Sequence, residues 1–334
     1  MSRPVLRVIR GGLMTTVQDL GRPGHGHLGV PLGGALDRLS HRLANRLVGN
    51  ADGAAAIEMT LRGDELEVLE DTVLAVCGAE MQADCEPPSG RIVALPCQRP
   101  VAVRRGCVLR FRSAIRGCRA TLAVAGGLDV PEVLSSRSTL LRSGWGGFQG
   151  RRLEAGDELA AEENHGGAVF PFPKAELEFP AWHIRLQSLP GTDDAVLRFL
   201  PGTHYQRLRG DARARLLEQT FEVRPESDRM GYRLRGPALE LDDPEAGRMK
   251  SAAVVPGTLQ LPQDGQLLLL MADCAPTGGY PRVGHVISAD LPLAAQLRPG
   301  SRLRLKLCTQ GEAMMAIRSE ERQLVAALTV AQLS

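Results

Sequence analysis

Lysine is almost missing from this chain. Of its 40 basic residues only Lys174, Lys250 and Lys306 are lysines, so 37 are arginines. No Gly-Lys dipeptide occurs, which excludes a phosphate-binding P-loop, whose lysine reaches the terminal phosphates. Anion binding must fall to arginine, a planar and permanently charged fork that grips carboxylates bidentately. Aromatic residues make up 4% of the chain, too few for a surface that stacks bases on rings. Excess charge is also missing: 40 basic against 38 acidic residues exclude the clustered basic surplus of a nucleic-acid partner. No apolar run approaches the ~18–20 residues of a membrane helix, and the longest aliphatic run is Leu267 to Ala272. Met1-Ser2-Arg3-Pro4 lacks the apolar stretch of a signal peptide. The seven cysteines are odd in number and never form Cys-x-x-Cys. They read as reduced thiols, with no disulfide framework and no zinc site, which sets the cytoplasm as the expected location.

What is present is 334 residues with 37 glycines and 22 prolines, a content that favours many turns and short strands. The length predicts two domains. We place one at 1–165 with one amphipathic helix, one at 182–310, and a helical tail at 311–334. A linker runs from about Glu162 to Ala181, where His165-Gly-Gly and Pro171-Phe-Pro173 break any regular pattern. Alternating apolar positions mark strands across Glu67–Cys77, Arg91–Phe111 and Arg119–Ala125. One small pattern recurs around Gly106, Gly156 and Gly300: an apolar residue, a turn with glycine, then a residue that opens a strand. The clearest helix is Asp37–Val48, with Leu36, Leu39, Leu43 and Leu47 on one face, Asp37 as N-cap and Gly49 as stop. Further helices are expected over about 211–219 and over 320–333, the latter capped by Ser319. The architecture is mainly β, two domains with peripheral helices.

Three short motifs carry little weight. Gly24-His-Gly26-His-Leu-Gly29 matches the dinucleotide-binding letters, but Val30-Pro31 and Gly33-Gly34 follow, and no helix opens at the glycines. Met249-Lys250 has the flanks Arg248 and Ser251, unlike a biotin-carrier site. His25 and His27 have no third ligand nearby, so no metal is expected.

Three stretches bring chemistry-bearing residues close together. In Gly12–Asp37, Thr16, Gln18, Asp19 and Arg22 crowd a long glycine-rich loop; they suit a substrate site, or an Asp19–Arg22 brace of a turn. In Ser227–Gly236, strand parity puts Met230, Tyr232 and Leu234 on one face and Arg229, Gly231, Arg233 and Arg235 on the other. Gly231 then leaves room for an anion between Arg229 and Arg233, unless that face is merely solvated. In the third stretch, Val255–Gly265 contains Gln260, and the apolar run at Leu267 delivers Asp273 to the Thr277-Gly-Gly-Tyr-Pro-Arg282 turn. The amides of Gly278 and Gly279 suit an anion-binding nest and Tyr280 a donor to a carbonyl, or the segment is only a tight turn.

Together these stretches resemble the carboxyltransferase family of allophanate hydrolase subunit 2. The likeness runs from about Leu6 to Leu307, through Thr15-Thr-Val-Gln-Asp-Leu-Gly-Arg-Pro-Gly24, Arg42-Leu-Ala-Asn-Arg-Leu-Val-Gly-Asn50, Ala123-Val-Ala-Gly-Gly-Leu-Asp129, Ser135-Ser-Arg-Ser-Thr139, Ser227-Asp-Arg-Met-Gly231 and Thr277-Gly-Gly-Tyr-Pro281. The resemblance implies a pair of cyclophilin-like β-barrels. It implies a B-type partner (the subunit 1 family) sharing a cleft with this chain, and an A-type subunit in 5-oxoprolinases. Leu32 and Gly33 stand where the family commonly has Pro and Ser, and Ala252 where it has an acidic residue.

The reading that follows is the C subunit of an ATP-dependent 5-oxoprolinase, which opens 5-oxoproline to glutamate with its A and B partners. The alternatives are the carboxyltransferase half of a urea or amide carboxylase, fed by biotin carried on another chain, and a non-catalytic antagonist that binds its B-like partner. In the leading reading ATP serves the complex and does not use a P-loop of this chain. Arg233, Tyr280 and Asp228 are the candidate catalytic residues. Arg229, Gln260, Thr277, Gly278, Gly279, Arg282, Thr16, Gln18 and Asp19 are the candidate substrate contacts. Asp228, Asp273 and His285 are the candidates for proton transfer.

Overall fold

The computed structural model describes residues 3–162, 175–184, 195–243 and 249–333. Most of the expected linker, including His165-Gly-Gly and Pro171-Phe-Pro173, lies outside the described residues. The chain divides into two compact units. Unit one comprises Met1–Gly21, Asp37–Leu189 and Arg322–Ser334, and unit two comprises Arg22–Leu36 and Pro190–Glu321. The glycine-rich loop is therefore split, with Thr16, Gln18 and Asp19 in the first unit and Arg22 to Leu36 in the second.

Unit one is a ten-stranded sheet organised on two long antiparallel strands, Thr72–Glu86 and Val108–Val124, paired from Leu74↔Val124 to Glu86↔Val108. Side-chain alternation gives this pair two apolar faces. Leu74, Val76, Leu122 and Val124 join the main core. Val73, Ala75, Cys77 and Ala123 meet Leu39, Leu43 and Leu47 of the Arg38–Leu47 helix. Each leucine buried on that stripe contributes about 1.5–3 kcal/mol of transfer free energy. The helix starts as its sequence predicts: the Asp37 carboxylate accepts from Ser40 N–H at 2.9 Å, and Gly49 follows with φ 79°.

Unit two is a closed seven-stranded barrel. Around it run Ala195–Pro201, Arg282–Val286, Thr258–Gln260, Leu267–Leu270, Gly231–Arg235, Thr220–Val223 and Arg302–Leu307, the last pairing parallel with the first. Leu197, Phe199, Tyr232, Leu234, Leu259 and Leu269 fill its interior. The mainly-β reading with few helices holds.

The recurring glycine pattern is one turn used three times. Gly106, Gly156 and Gly300 have φ of 87°, 94° and 85°. Each donates its N–H to a valine carbonyl (Val68, Val8 and Val223, all at 2.8 Å), and that valine donates back to the carbonyl of the next residue, Cys107, Asp157 or Ser301. The last helix corrects the sequence reading. It spans Gln310–Leu333 rather than starting at 320, and Ser319 lies inside it. Its start is a capping box: Thr309 Oγ1 accepts Glu312 N–H at 3.2 Å, and Glu312 Oε2 accepts Thr309 N–H at 2.7 Å. All seven cysteines are free thiols, and no helix among the described residues is long and apolar enough to cross a membrane.

Candidate functional site

The site builds on the outer face of the unit-two barrel. In Gly231–Arg235, Tyr232 and Leu234 point into the core, so Gly231, Arg233 and Arg235 point outward. Cross-strand register then aligns Arg233 with Leu268, Leu268 with Gln260, and Gln260 with Arg282. Three of the sequence-predicted residues thus lie in one row over four strands, about 14 Å from end to end at the backbone. The ladder is irregular between Leu259 and Gln260, a bulge of the kind that re-aims a side chain.

A two-stranded ribbon, Ala252–Ala253 paired with Thr277–Gly278, covers the Gln260–Arg282 end of this row. Val254, Leu268, Leu270 and Cys274 form a small apolar cluster of their own there. The Gln260 amide occupies the place where a Gly278 side chain would stand. Gln260 is 3% exposed, and its Nε2 has no hydrogen-bond partner among the described residues. A buried amide donor without an acceptor costs about 1–3 kcal/mol. Arg282 donates from Nη1 to Ala253 O at 3.1 Å, which ties the end of the row to the ribbon. Arg233, Thr277 and Tyr280 are exposed.

Arg229 does not share the row. It precedes the strand, is 5% exposed, and holds Asp273 through Nε–Oδ2 at 2.8 Å and Nη2–Oδ1 at 3.0 Å. Its Nη2 also donates to Gly34 O at 2.6 Å. The expected anion slot between Arg229 and Arg233 is absent because the Arg229 fork is filled. Asp228 caps a turn, its Oδ1 accepting from Met230 N–H at 2.8 Å and Gly231 N–H at 3.2 Å. Gly278 and Gly279 form no nest, since neither adopts the left-handed φ that a nest requires. Gly33 does, with φ 66°, and it donates to Ala272 O at 2.9 Å, so a glycine suits this position.

His204 is a site neighbour that sequence reasoning misses. Its Nδ1 accepts the Arg282 backbone N–H at 3.1 Å, which places the ring proton on Nε2. Burial, followed by the Arg282 and Arg207 charges, pushes its pKa below the usual value. The only signal is a Gly-Thr-His turn after a strand, 78 residues from Arg282. Burial likewise lowers the pKa of His285.

The remaining predicted residues serve unit one. Gln18 Nε2 donates to Thr16 Oγ1 at 2.9 Å and to Thr139 O at 3.2 Å. Asp19 accepts from Gly21 N–H, both Ser136 and Ser138 hydroxyls, and Arg137 N–H, all within 2.6–2.8 Å. It clamps the Ser135–Thr139 motif into one loop. The Gly24–Gly29 motif makes only a short 3-10 turn, Gly26–Leu28, and the helix that follows begins at Arg38.

Known proteins match this chain along most of its length. The model of the carboxyltransferase domain, subdomain A and B, covers residues 28–307. The 5-oxoprolinase C subunit of Haemophilus influenzae is 36% identical over 308 residues, 92% of either chain. That of Escherichia coli (strain K12) is 35% identical over 319 residues, 95% of this chain and 96% of its own. Among solved structures, the Kluyveromyces lactis urea carboxylase superposes with a TM-score of 0.86 at 28% identity, over 98% of this chain and 29% of that one.

Proposed function

Because the chain belongs to the family of the carboxyltransferase domain, subdomains A and B, we propose that it serves as the C subunit of a multi-component 5-oxoprolinase, acting with A- and B-type partners to open 5-oxoproline to glutamate. The observation that carries this reading is the near end-to-end match to two proteins of that name, against 29% coverage of the urea carboxylase.

The row on the barrel supplies the chemistry. The substrate is a planar N–C=O ring amide bearing a carboxylate. Gln260 lies beneath Gly278 and seats the ribbon, and the exposed Tyr280 at the ribbon end donates to the amide oxygen and stabilises the negative charge that develops there. Arg233 takes the carboxylate. ATP serves the complex and does not use a P-loop of this chain, which has no Gly-Lys dipeptide and whose Gly24–Gly29 motif does not open a helix. Biotin is not attached to this chain either, with Lys250 outside any carrier motif.

The urea carboxylase fold match favours a second reading, transfer of carboxylate from a biotin on another chain, since the ureido group is also a planar N–C=O unit. The test is reconstitution. The chain is mixed with its A- and B-type partners and assayed for ATP-dependent glutamate release from 5-oxoproline. Release only with all three supports the proposal. No release, with carboxyl transfer to urea from a biotinylated carrier, replaces it by the second reading. Tight partner binding with neither activity leaves a non-catalytic antagonist.

A further inference from the structure

We propose that unit one carries a binding site for a small organic cation, separate from the barrel row of unit two. The site is a cavity of about 360 Å3 between residues 129–133 and the glycine-rich loop 144–150. That volume falls within the usual range for small-molecule pockets. Val130, Pro131 and Val133 give one wall an apolar lining, and Trp145 and Phe148 supply aromatic rings to the other. Two aromatic residues three positions apart are a concentration in a chain that has 2 tryptophans and 7 phenylalanines.

The charge of the cavity selects the ligand. Among the described residues Asp129 is the one ionisable side chain in the lining, and it is exposed. Among the described residues its carboxylate has neither an ion pair nor a hydrogen bond. Of the nearby carboxylates Glu162 pairs with Arg137 and Asp157 with Arg151, while the exposed Glu132 adds negative charge beside the same wall. The rings favour the same sign, because their faces carry negative electrostatic potential. Phe148 already holds one cation, the Arg151 guanidinium at 5.3 Å from its centroid, which Asp157 fixes at 2.7 and 2.8 Å. A carboxylate beside two rings and three aliphatic side chains suits an ammonium or guanidinium group on an apolar body, and repels carboxylates and phosphates.

The walls are built rigid, at a cost. Five non-glycine residues of the described chain have left-handed φ, and three of them, Leu134, Ser135 and Gln149, lie in the cavity loop or directly beside the other wall. Such strain gathers where surrounding structure enforces it, and binding sites are a common reason. Here the enforcement is visible. Asp19 takes the Ser136 and Ser138 hydroxyls at 2.8 and 2.7 Å, and Gly150 N–H closes the other loop onto Gly146 O at 2.8 Å. Gly147 lies against Thr139, with no room for a side chain. A pocket held in this way loses little freedom when it is filled.

The test uses benzylammonium as the probe and benzoate as the anionic control of matching size. In Trp182→Phe, Trp145 is the sole tryptophan and reports directly; calorimetry on the unaltered chain gives a second readout. We expect saturable binding of benzylammonium, none of benzoate, and at least about tenfold weaker binding in Asp129→Asn, whose neutral amide has lost the charge-assisted contact. Asp129 is exposed, so that variant keeps the fold. The proposal is overturned by absence of saturable benzylammonium binding to the unaltered chain, by equal affinity for benzoate, or by an Asp129→Asn variant that binds as well as the parent.

Discussion

Arg229 grips Asp273 with two parallel hydrogen bonds, Nε–Oδ2 at 2.8 Å and Nη2–Oδ1 at 3.0 Å, and both residues are more than nine-tenths buried. The Gly34 carbonyl takes a further N–H of the same guanidinium, so one side chain ties 22–36 to the barrel of its own unit. Breaking such a pair strands a buried charge, at a cost of about 3–5 kcal/mol. Arg229→Met and Asp273→Asn should each lose stability on that scale in urea unfolding. The double variant Arg229→Met with Asp273→Leu should recover much of it, since both charges leave together. A loss below about 1 kcal/mol in both single variants would show that the pair is solvated and not structural.

Gln260→Met separates stability from activity. The change keeps volume and removes an amide whose Nε2 has no partner among the described residues. Unfolding stability should hold or rise, because the desolvation penalty of an unmade hydrogen bond disappears. Glutamate release by the reconstituted complex should fall at least several-fold, because the ribbon that carries Tyr280 packs on this amide. Unchanged turnover would remove Gln260 from the site. Gly278→Ala should act in the same direction by displacing the amide.

The strand Gly231–Arg235 shows what the sequence makes legible. Tyr232 and Leu234 inward, Arg233 and Arg235 outward, is a period-two statement and needs only neighbours. Parity fails two residues earlier: Arg229 lies outside the strand, and its partner is 44 positions away. The glycine pair at 278–279 is easily recognised, but its purpose is not. Local chemistry suggests an amide nest, whereas the ribbon needs Gly278 small because Gln260 packs on it. The last helix reads ten residues short because Ser319 looks like a cap, while the true start is the Thr309–Glu312 box. The row itself depends on register between strands, which no single segment encodes.

The threefold turn gives a clean measurement of backbone cost. At Gly156 and Gly300 nothing lies within 4 Å of an added Cβ, so alanine there meets no steric neighbour. The φ of 94° and 85° still penalises it, by about 1–2 kcal/mol. Gly156→Ala and Gly300→Ala should therefore cost nearly the same. Gly106→Ala should cost more, since its Cβ would stand 3.2 Å from Pro88 Cγ. Chemical denaturation of the three variants checks the order. Equal losses at all three, or none at Gly156, would mean that the turn relaxes on substitution.

Two buried groups of unit one set opposing slopes in acid. His41 is fully buried, and desolvation lowers its pKa from 6.5 to about 4. Between those values the unfolded chain binds a proton that the folded chain refuses, so this residue makes stability fall as pH drops. Asp64, also buried, has its pKa raised from 3.8 to about 6, again by desolvation, against hydrogen bonds from Thr15 and Gly12. There the folded chain binds the proton first, so stability rises as pH drops through the same window. At 1.36 kcal/mol per pH unit each effect amounts to about 3 kcal/mol, and the two offset. His204 and His285, whose pKa values burial also lowers, leave the unaltered chain a modest loss of stability from pH 6 to 4.5. Relative to it, Asp64→Asn should lose stability over that interval, because only the histidine slope remains. His41→Gln should gain, because only the carboxyl slope remains. Parallel pH profiles for all three proteins would show that neither group titrates differently in the folded and unfolded states.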